Sequence, residues 1–258
     1  MTLKEKLIKK ELTIGSWLSF GFTPVTEMML KAGFDWLVID LEHTSISIDQ
    51  AFGMIQLIEQ SGSVSLARVG KNDEYLIKRV MDAGAHGVVV PMINNAAEAR
   101  QAVASVKYPP KGKRGVGLFR AQNYGAGFDE YKKWNEEQSI VIVQIEHYKG
   151  VENLESILEV EGVDGFIIGP YDLSGSMGMP GDFESQKMID ALQFVEKVMN
   201  NSEKVGGYHV VHSNHKLLEN KINTGYKFIA YGDDMVFLSE KLREENDFLN
   251  DVKLRIKK

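Results

Sequence analysis

The chain has 258 residues, of which 43% are hydrophobic and 26% charged, an ordinary globular composition that excludes low complexity and extensive disorder. A formal charge of −6 without any long basic block argues against nucleic acid and anionic membranes as partners, and the absence of cysteine removes disulfides and thiolate catalysis. No segment nears the roughly 18 consecutive apolar residues of a membrane span, so the expectation is a cytoplasmic protein acting on small molecules.

The first ten residues, Met1 to Lys10, form a charged amphipathic stretch. From there short β-branched apolar runs alternate with helical periodicity. Strands are predicted near 12–18, 36–40, 64–68, 87–91, 140–146, 164–168, 206–211 and 227–231, and helices near 24–33, 47–60, 73–83, 95–106, 150–159, 184–201, 214–223 and 235–257. Ser47, Asn72 and Ser213 read as helix starts, and Gly33, Gly84 and Gly225 as helix stops. Eight strands alternating with helices predict an α/β fold, a closed parallel (β/α)8 TIM barrel. About 250 residues is typical of one such barrel, so residues 1–258 are expected to be a single domain. The stretch from Pro109 to about Glu130 is too long for a simple connection and reads as an inserted active-site or interface loop.

In such barrels the C-terminal strand ends carry the chemistry. The predicted second strand runs into Asp40-Leu41-Glu42-His43, the third ends at Arg68, the fifth at Gln144-Ile145-Glu146, and the sixth continues to Tyr171-Asp172. Glu146 and Asp172 offer two hard oxygen ligands suited to Mg²⁺ or Mn²⁺, although carboxylates at such places also cap helices or pair with lysines. His43 can move a proton through a bound water, or be an exposed loop histidine. Arg68 can stabilise a developing enolate, and equally can form a structural ion pair with Asp40 or Glu42. Asp82, at a helix end, could accept a hydrogen bond from His43 and raise its basicity, or face solvent. His209, His212 and His215 lie close in sequence, but strand alternation separates their directions, so a zinc site is not expected; His209 alone could contact substrate. No lysine stands at a strand end, where Schiff-base chemistry would require one.

Together these residues resemble the HpcH/HpaI aldolase family of class II, metal-dependent pyruvate aldolases. The matching stretches include Ala32-Gly33-Phe34-Asp35-Trp36, Asp40-Leu41-Glu42-His43, Ala67-Arg68-Val69, Val90-Pro91-Met92, Arg114-Gly115-Val116-Gly117, Gln144-Ile145-Glu146 and Ile168-Gly169-Pro170-Tyr171-Asp172-Leu173-Ser174. The resemblance spans nearly the whole chain. It implies a lyase that reversibly cleaves a 4-hydroxy-2-oxo acid of the 2-keto-3-deoxy type to pyruvate and an aldehyde through a metal-stabilised enolate, with Mg²⁺, Mn²⁺ or Co²⁺ as cofactor. It assigns Glu146 and Asp172 as metal ligands, Gln144 as a substrate contact, and the Tyr171 and Asp172 amides as holders of the pyruvate carboxylate. His43 would be the base acting through water, Asp82 its tuning partner, and Arg68 the enolate stabiliser. It also implies a homo-oligomer, a hexamer built as a trimer of dimers, with the last helix exchanged between protomers. The chain departs from better-known catabolic members over 118–125, at Tyr208-His209-Val210-Val211-His212, and at Tyr231-Gly232-Asp233-Asp234, so the aldehyde is left open. Enolate chemistry on an acyl-CoA, phosphoenolpyruvate or oxaloacetate, and a non-catalytic ligand-binding barrel, are the alternatives.

Overall fold

The computed structural model describes residues 1–256. Eight parallel strands, β1 (Thr13–Leu18), β2 (Trp36–Asp40), β3 (Val64–Arg68), β4 (Gly87–Val90), β5 (Ile140–Ile145), β6 (Gly165–Ile168), β7 (Val205–Val210) and β8 (Phe228–Asp233), close in chain order, with β8 pairing back to β1. Every predicted strand is present with ends within two residues. The agreement has a simple cause: each strand is covered by helices outside and filled by side chains inside, so it reads as a continuous apolar run.

Around the barrel lie α1 (Leu3–Ile8), α2 (Thr23–Leu30), α3 (Ile48–Gln60), α4 (Glu74–Ala83), α5 (Ala96–Val106), α6 (Phe128–Gln138), α7 (Tyr148–Glu152), α8 (Leu154–Leu158), α9 (Pro170–Ser176), α10 (Gln186–Asn201), α11 (His215–Thr224) and α12 (Asp234–Ile256). Ser47 caps α3 reciprocally with Gln50, as its spacing predicts. Asp73 rather than Asn72 caps α4, and Asn214 rather than Ser213 caps α11, because those carboxylate and amide oxygens reach the Leu76 and Leu217 amides. Gly84 and Gly225 end their helices in the left-handed conformation, while Gly33, also left-handed, lies beyond the Lys31 cap of α2. The predicted helix over 150–159 is broken at Asn153 into α7 and α8. The predicted last helix began at 235 and ended at 257, a residue outside those described; α12 runs from Asp234 to Ile256.

Two apolar layers stabilise the barrel. Inside it, Trp17, Trp36, Val38, Leu66, Val89, Ile140, Ile142, Ile167 and Phe228 pack together, with Trp36 and Phe228 stacked at 4.1 Å. Gly15 is needed beside this pair, since a Cβ there would stand 2.1 Å from the Trp36 ring. At the N-terminal ends of the strands α1 closes the barrel with Leu3 and Leu7, and Lys4 and Lys6 pair with Asp164 and Asp35. The larger layer lies between strands and outer helices. The segment after Tyr108 packs on the outer wall and not over the barrel mouth: Arg114 is buried beneath the Tyr108 ring and donates to the Tyr131 hydroxyl at 2.9 Å, and Arg120 reaches the Ala83 carbonyl and Glu59 at the C-terminal ends of α4 and α3. Val116, Leu118 and Tyr124 remain exposed on it.

No helix of the described residues is long and apolar enough to cross a membrane.

Candidate active site

Strand alternation sends Trp17, Asp40, Arg68, Gln144 and His209 into the barrel at its C-terminal mouth, a polar layer above the apolar filling. Arg68 is gripped by Asp40 through two hydrogen bonds, Nε to Oδ1 at 2.8 Å and Nη2 to Oδ2 at 2.7 Å. Burial alone would raise the Asp40 carboxyl, but the Arg68 hydrogen bond and charge, with the Glu42 and His43 amides, hold it below the usual carboxylate range. Arg68 Nε also lies 3.4 Å from Glu42, and its guanidinium rests 4.3 Å over the Trp17 ring. Arg68 is thus an ion-pair partner, while its Nη1 has no hydrogen-bond partner among the described residues and is left available to a ligand oxygen.

Glu146 leaves the end of β5 and is almost fully buried. The Met92 amide donates to Oε1 at 2.6 Å, and the Gln144 amide donates to Oε2. Gly169 permits this approach, since a Cβ there would come within 3.1 Å of Glu146 Oε2 and of Gln144 Nε2. Asp172 stands in the first turn of α9, and its charge acts on both Glu146 and Glu42. Burial, reinforced by Glu42 and Asp172, pushes Glu146 up to about 7 against the stabilising Met92 and Gln144 hydrogen bonds. Burial also raises Glu42 to about 7, with Asp40 and Asp172 adding to it and Arg68 opposing it. Glu42, Glu146 and Asp172 repel one another, and the one buried guanidinium that acts on Glu42 and Glu146 is already neutralised by Asp40. That deficit of positive charge, with hard oxygen donors only, fits a divalent cation. Among the described residues no cluster of three or more His, Asp or Glu forms a closed protein cage, so most coordination positions would fall to water and substrate.

His43 is exposed in the loop after β2, its amide 3.4 Å from Asp40 and its Nε2 3.7 Å from Glu42 Oε2. Tyr171 is half exposed and its hydroxyl lies 3.3 Å from His212 Nε2; His212 Nδ1 in turn meets Glu240 at 2.8 Å. His215 stacks on Tyr231, so the three histidines engage separate partners.

One expected neighbour is elsewhere. Asp82 does not meet His43 within the chain: it occupies the last turn of α4 on the outer wall, beside Ile48, Phe52, Arg79 and Phe119. A helix that returns antiparallel to the strands carries its C-terminal turn away from the mouth, which is why spacing alone misplaces it. Burial raises its carboxyl despite Arg114 and Lys78, and its Oδ1 has no hydrogen-bond partner. Conversely, Glu42 as a third carboxylate and Trp17 as the platform for Arg68 were missed; strand alternation through Trp17 was the available signal for the second. Met92, which presents its amide to Glu146 from a left-handed φ of 55°, carries no sequence signal.

A cavity of about 610 Å³ opens at the opposite end of the barrel, among Lys4, Lys6, Asp35, Glu59, His86 and Trp134. Its lysines are paired with Asp164 and Asp35, and that end of a barrel serves stability, so the chemistry is assigned to the mouth.

The closed parallel barrel, with titratable side chains gathered at the C-terminal ends of its strands, has the architecture of a (β/α)8 barrel enzyme. The model of the HpcH/HpaI aldolase/citrate lyase family matches residues 14–240. A 2-keto-3-deoxy-L-rhamnonate aldolase of Salmonella typhi is 36% identical over 244 residues, covering 93% of this chain and 89% of that protein. Among solved structures, an HpcH/HpaI aldolase/citrate lyase family protein from Burkholderia cenocepacia J2315 superposes with TM-score 0.89 at 30% identity, covering 97% and 98% of the two chains. An HpcH/HpaI aldolase from Desulfitobacterium hafniense DCB-2 gives 0.88 at 26% identity, covering 96% of each. The chain belongs to the HpcH/HpaI aldolase/citrate lyase family, and it is a lyase of the aldolase type.

Proposed function

We propose that the chain reversibly cleaves a 4-hydroxy-2-oxo acid of the 2-keto-3-deoxy type into pyruvate and an aldehyde, with 2-keto-3-deoxy-L-rhamnonate, the substrate named for its relative, as the first compound to test. The observation that carries this reading is that Arg68, with Nη1 left free, acts on the Glu42 and Glu146 carboxylates, on both of which Asp172 also acts. Glu146 and Asp172 would hold Mg²⁺, Mn²⁺ or Co²⁺. When bound, the cation polarises the keto group of the substrate. Gln144 contacts the substrate from the floor, and the Tyr171 and Asp172 amides at the start of α9 hold its carboxylate. In the cleavage direction His43, through a water, takes the proton of the C4 hydroxyl. The C3–C4 bond breaks, the aldehyde leaves, and the electron pair moves onto the C2 oxygen. Arg68 Nη1 donates to that oxygen as its charge develops, where a charge-assisted hydrogen bond acts most strongly. A proton returned to C3 completes pyruvate.

The reading includes a homo-oligomer, a hexamer as a trimer of dimers with α12 exchanged between protomers, in the cytoplasm. The exposed Leu238, Leu242, Phe248 and Leu249 of α12 support such an exchange. Asp82, on an outer wall, could serve His43 only from a neighbouring copy.

The test is exchange of the pyruvate methyl protons in heavy water, followed by NMR with each divalent metal and then with chelator. Metal-dependent exchange that disappears in Glu146→Ala supports the proposal. No exchange with any metal rejects it.

A further inference from the structure

At one edge of the rim, side chains from three separate segments join in a line. Tyr171, in the first turn of α9, places its hydroxyl 3.3 Å from Nε2 of His212 in the loop after β7, and His212 Nδ1 lies 2.8 Å from Glu240 near the start of α12. Both ends of the line are fixed: the Ser213 hydroxyl and amide donate to the other oxygen of Glu240, and Phe183 stands edge-on to the Tyr171 ring at 5.0 Å. His212 is near enough to the floor for its charge to act on the His209 ring, which burial, with Arg68, draws down to about 3 and keeps neutral. None of the three side chains is buried. Ordering three polar side chains in water costs rotamer entropy that exposed contacts barely offset, so the line is informative.

The hydrogens along the line have one consistent arrangement. A carboxylate only accepts, so His212 Nδ1 carries a hydrogen toward Glu240. With the ring neutral, Nε2 is a lone pair, the Tyr171 O–H donates to it, and the phenol oxygen keeps its own lone pairs for a donor from outside the protein. Where that donor sits follows from the aldolase reading above, on which this inference rests. In it His43 and Arg68 act from the β2 and β3 ends of the mouth, and Glu146 and Asp172 from the β5 and β6 ends. With the substrate carboxylate at the α9 amides and the C4 hydroxyl turned to His43, the chain beyond C4 leaves over the β7–β8 edge, where the line stands. We propose that Tyr171 is a specificity residue for the aldehyde half of the substrate: its phenol oxygen accepts a hydrogen bond from the hydroxyl on C5 of the 2-oxo acid, with His212 and Glu240 as positioning residues that set its direction. The hydroxyl on C5 is the α-hydroxyl of the released aldehyde, so the enzyme prefers α-hydroxyaldehydes to plain aliphatic ones.

The deciding measurement is aldol addition of pyruvate, with Mg²⁺, to lactaldehyde and to propanal, which differ only in that hydroxyl. The ratio of the two kcat/KM values is compared between the unmodified enzyme and its variants, so that the intrinsic reactivities of the aldehydes cancel. Tyr171→Phe removes only the phenol oxygen and is expected to lower the lactaldehyde-to-propanal ratio about fivefold, the loss of one neutral hydrogen bond. His212→Ala should lower the ratio in the same direction, His212→Gln, whose amide oxygen still accepts from Tyr171, should recover part of it, and adding His212→Ala to Tyr171→Phe should change it no further. Circular dichroism checks that each variant is folded. A ratio that is the same in the unmodified enzyme and in Tyr171→Phe overturns the subsite, as does an equal loss for both aldehydes, which would mark a structural role. Methyl proton exchange of pyruvate in the unmodified enzyme separates the two levels: exchange without a hydroxyl effect removes only the subsite, whereas absence of exchange removes the aldolase reading with it.

Discussion

Asp40→Asn tests how the floor of the mouth is built. The Asp40 and Arg68 side chains are 5% and 11% exposed, and two hydrogen bonds of 2.8 and 2.7 Å join them. Asparagine keeps the shape but removes the charge and turns an amide hydrogen toward Nη2. Removing one partner of a buried pair costs about 3–5 kcal/mol, because the other charge is left uncompensated. Glu42, 3.4 Å from Arg68 Nε, takes up part of that charge, which puts the expected loss at about 3 kcal/mol. For a chain of this size that is a fall in Tm of roughly 6–12 °C by scanning calorimetry. Turnover should fall about 10²- to 10³-fold, the effect of disordering one preorganised donor, in an assay coupling released pyruvate to lactate dehydrogenase. The double variant Asp40→Asn, Arg68→Met completes a cycle: the two losses must be strongly non-additive, since the first acts through the second. Additivity within about 0.5 kcal/mol would refute the claim that Asp40 works by holding Arg68.

Other perturbations probe separate parts of the argument. Arg68→Ala should lower kcat by about 10²-fold or more while leaving calorimetric metal affinity largely intact, since its donor acts on charge that develops during the reaction; an unchanged kcat removes Arg68 from the mechanism. In the metal-free chain the folded state holds the Glu146 proton up to about 7, above the ordinary 4.5. Its contribution to stability is therefore full below about 4.5 and lost as pH rises to about 7, and a cation that needs the ionised form should raise Tm more at pH 8 than at pH 6. Glu146→Gln should weaken that pH dependence of the metal-induced shift, Glu42 leaving a remainder. His43→Ala should depress aldol cleavage more than oxaloacetate decarboxylation, which has no hydroxyl proton to remove; equal losses would make His43 a positioning group. Gly15→Ala forces a methyl against the Trp36 ring and should destabilise the barrel by about 1–3 kcal/mol in urea unfolding.

The eight strands and the identities of Arg68, Glu146 and Asp172 as mouth residues were legible in the sequence because a barrel strand is apolar on both faces and stops where polar residues begin. Helix α6 was not, since Phe128, Tyr131 and Trp134 are its few apolar residues in a run otherwise charged or polar, and α9 hid in a glycine-rich stretch that reads as a turn. The family resemblance was legible for the same reason as the strands: order and spacing of short motifs are properties of the chain. What lies beside what is not. The Asp40 grip on Arg68 comes from the β2–β3 register, which sets the two residues side by side and brings Glu42 to the same guanidinium, and the removal of Asp82 to the outer wall comes from the direction of its returning helix. The raised Glu146 and the neutral His209 depend on burial, which the sequence does not record. Local pattern selects strand or helix because side-chain periodicity is a neighbour effect; charge pairing and protonation are set by distances between residues far apart in sequence, which exist only once the strands have paired and the barrel has folded.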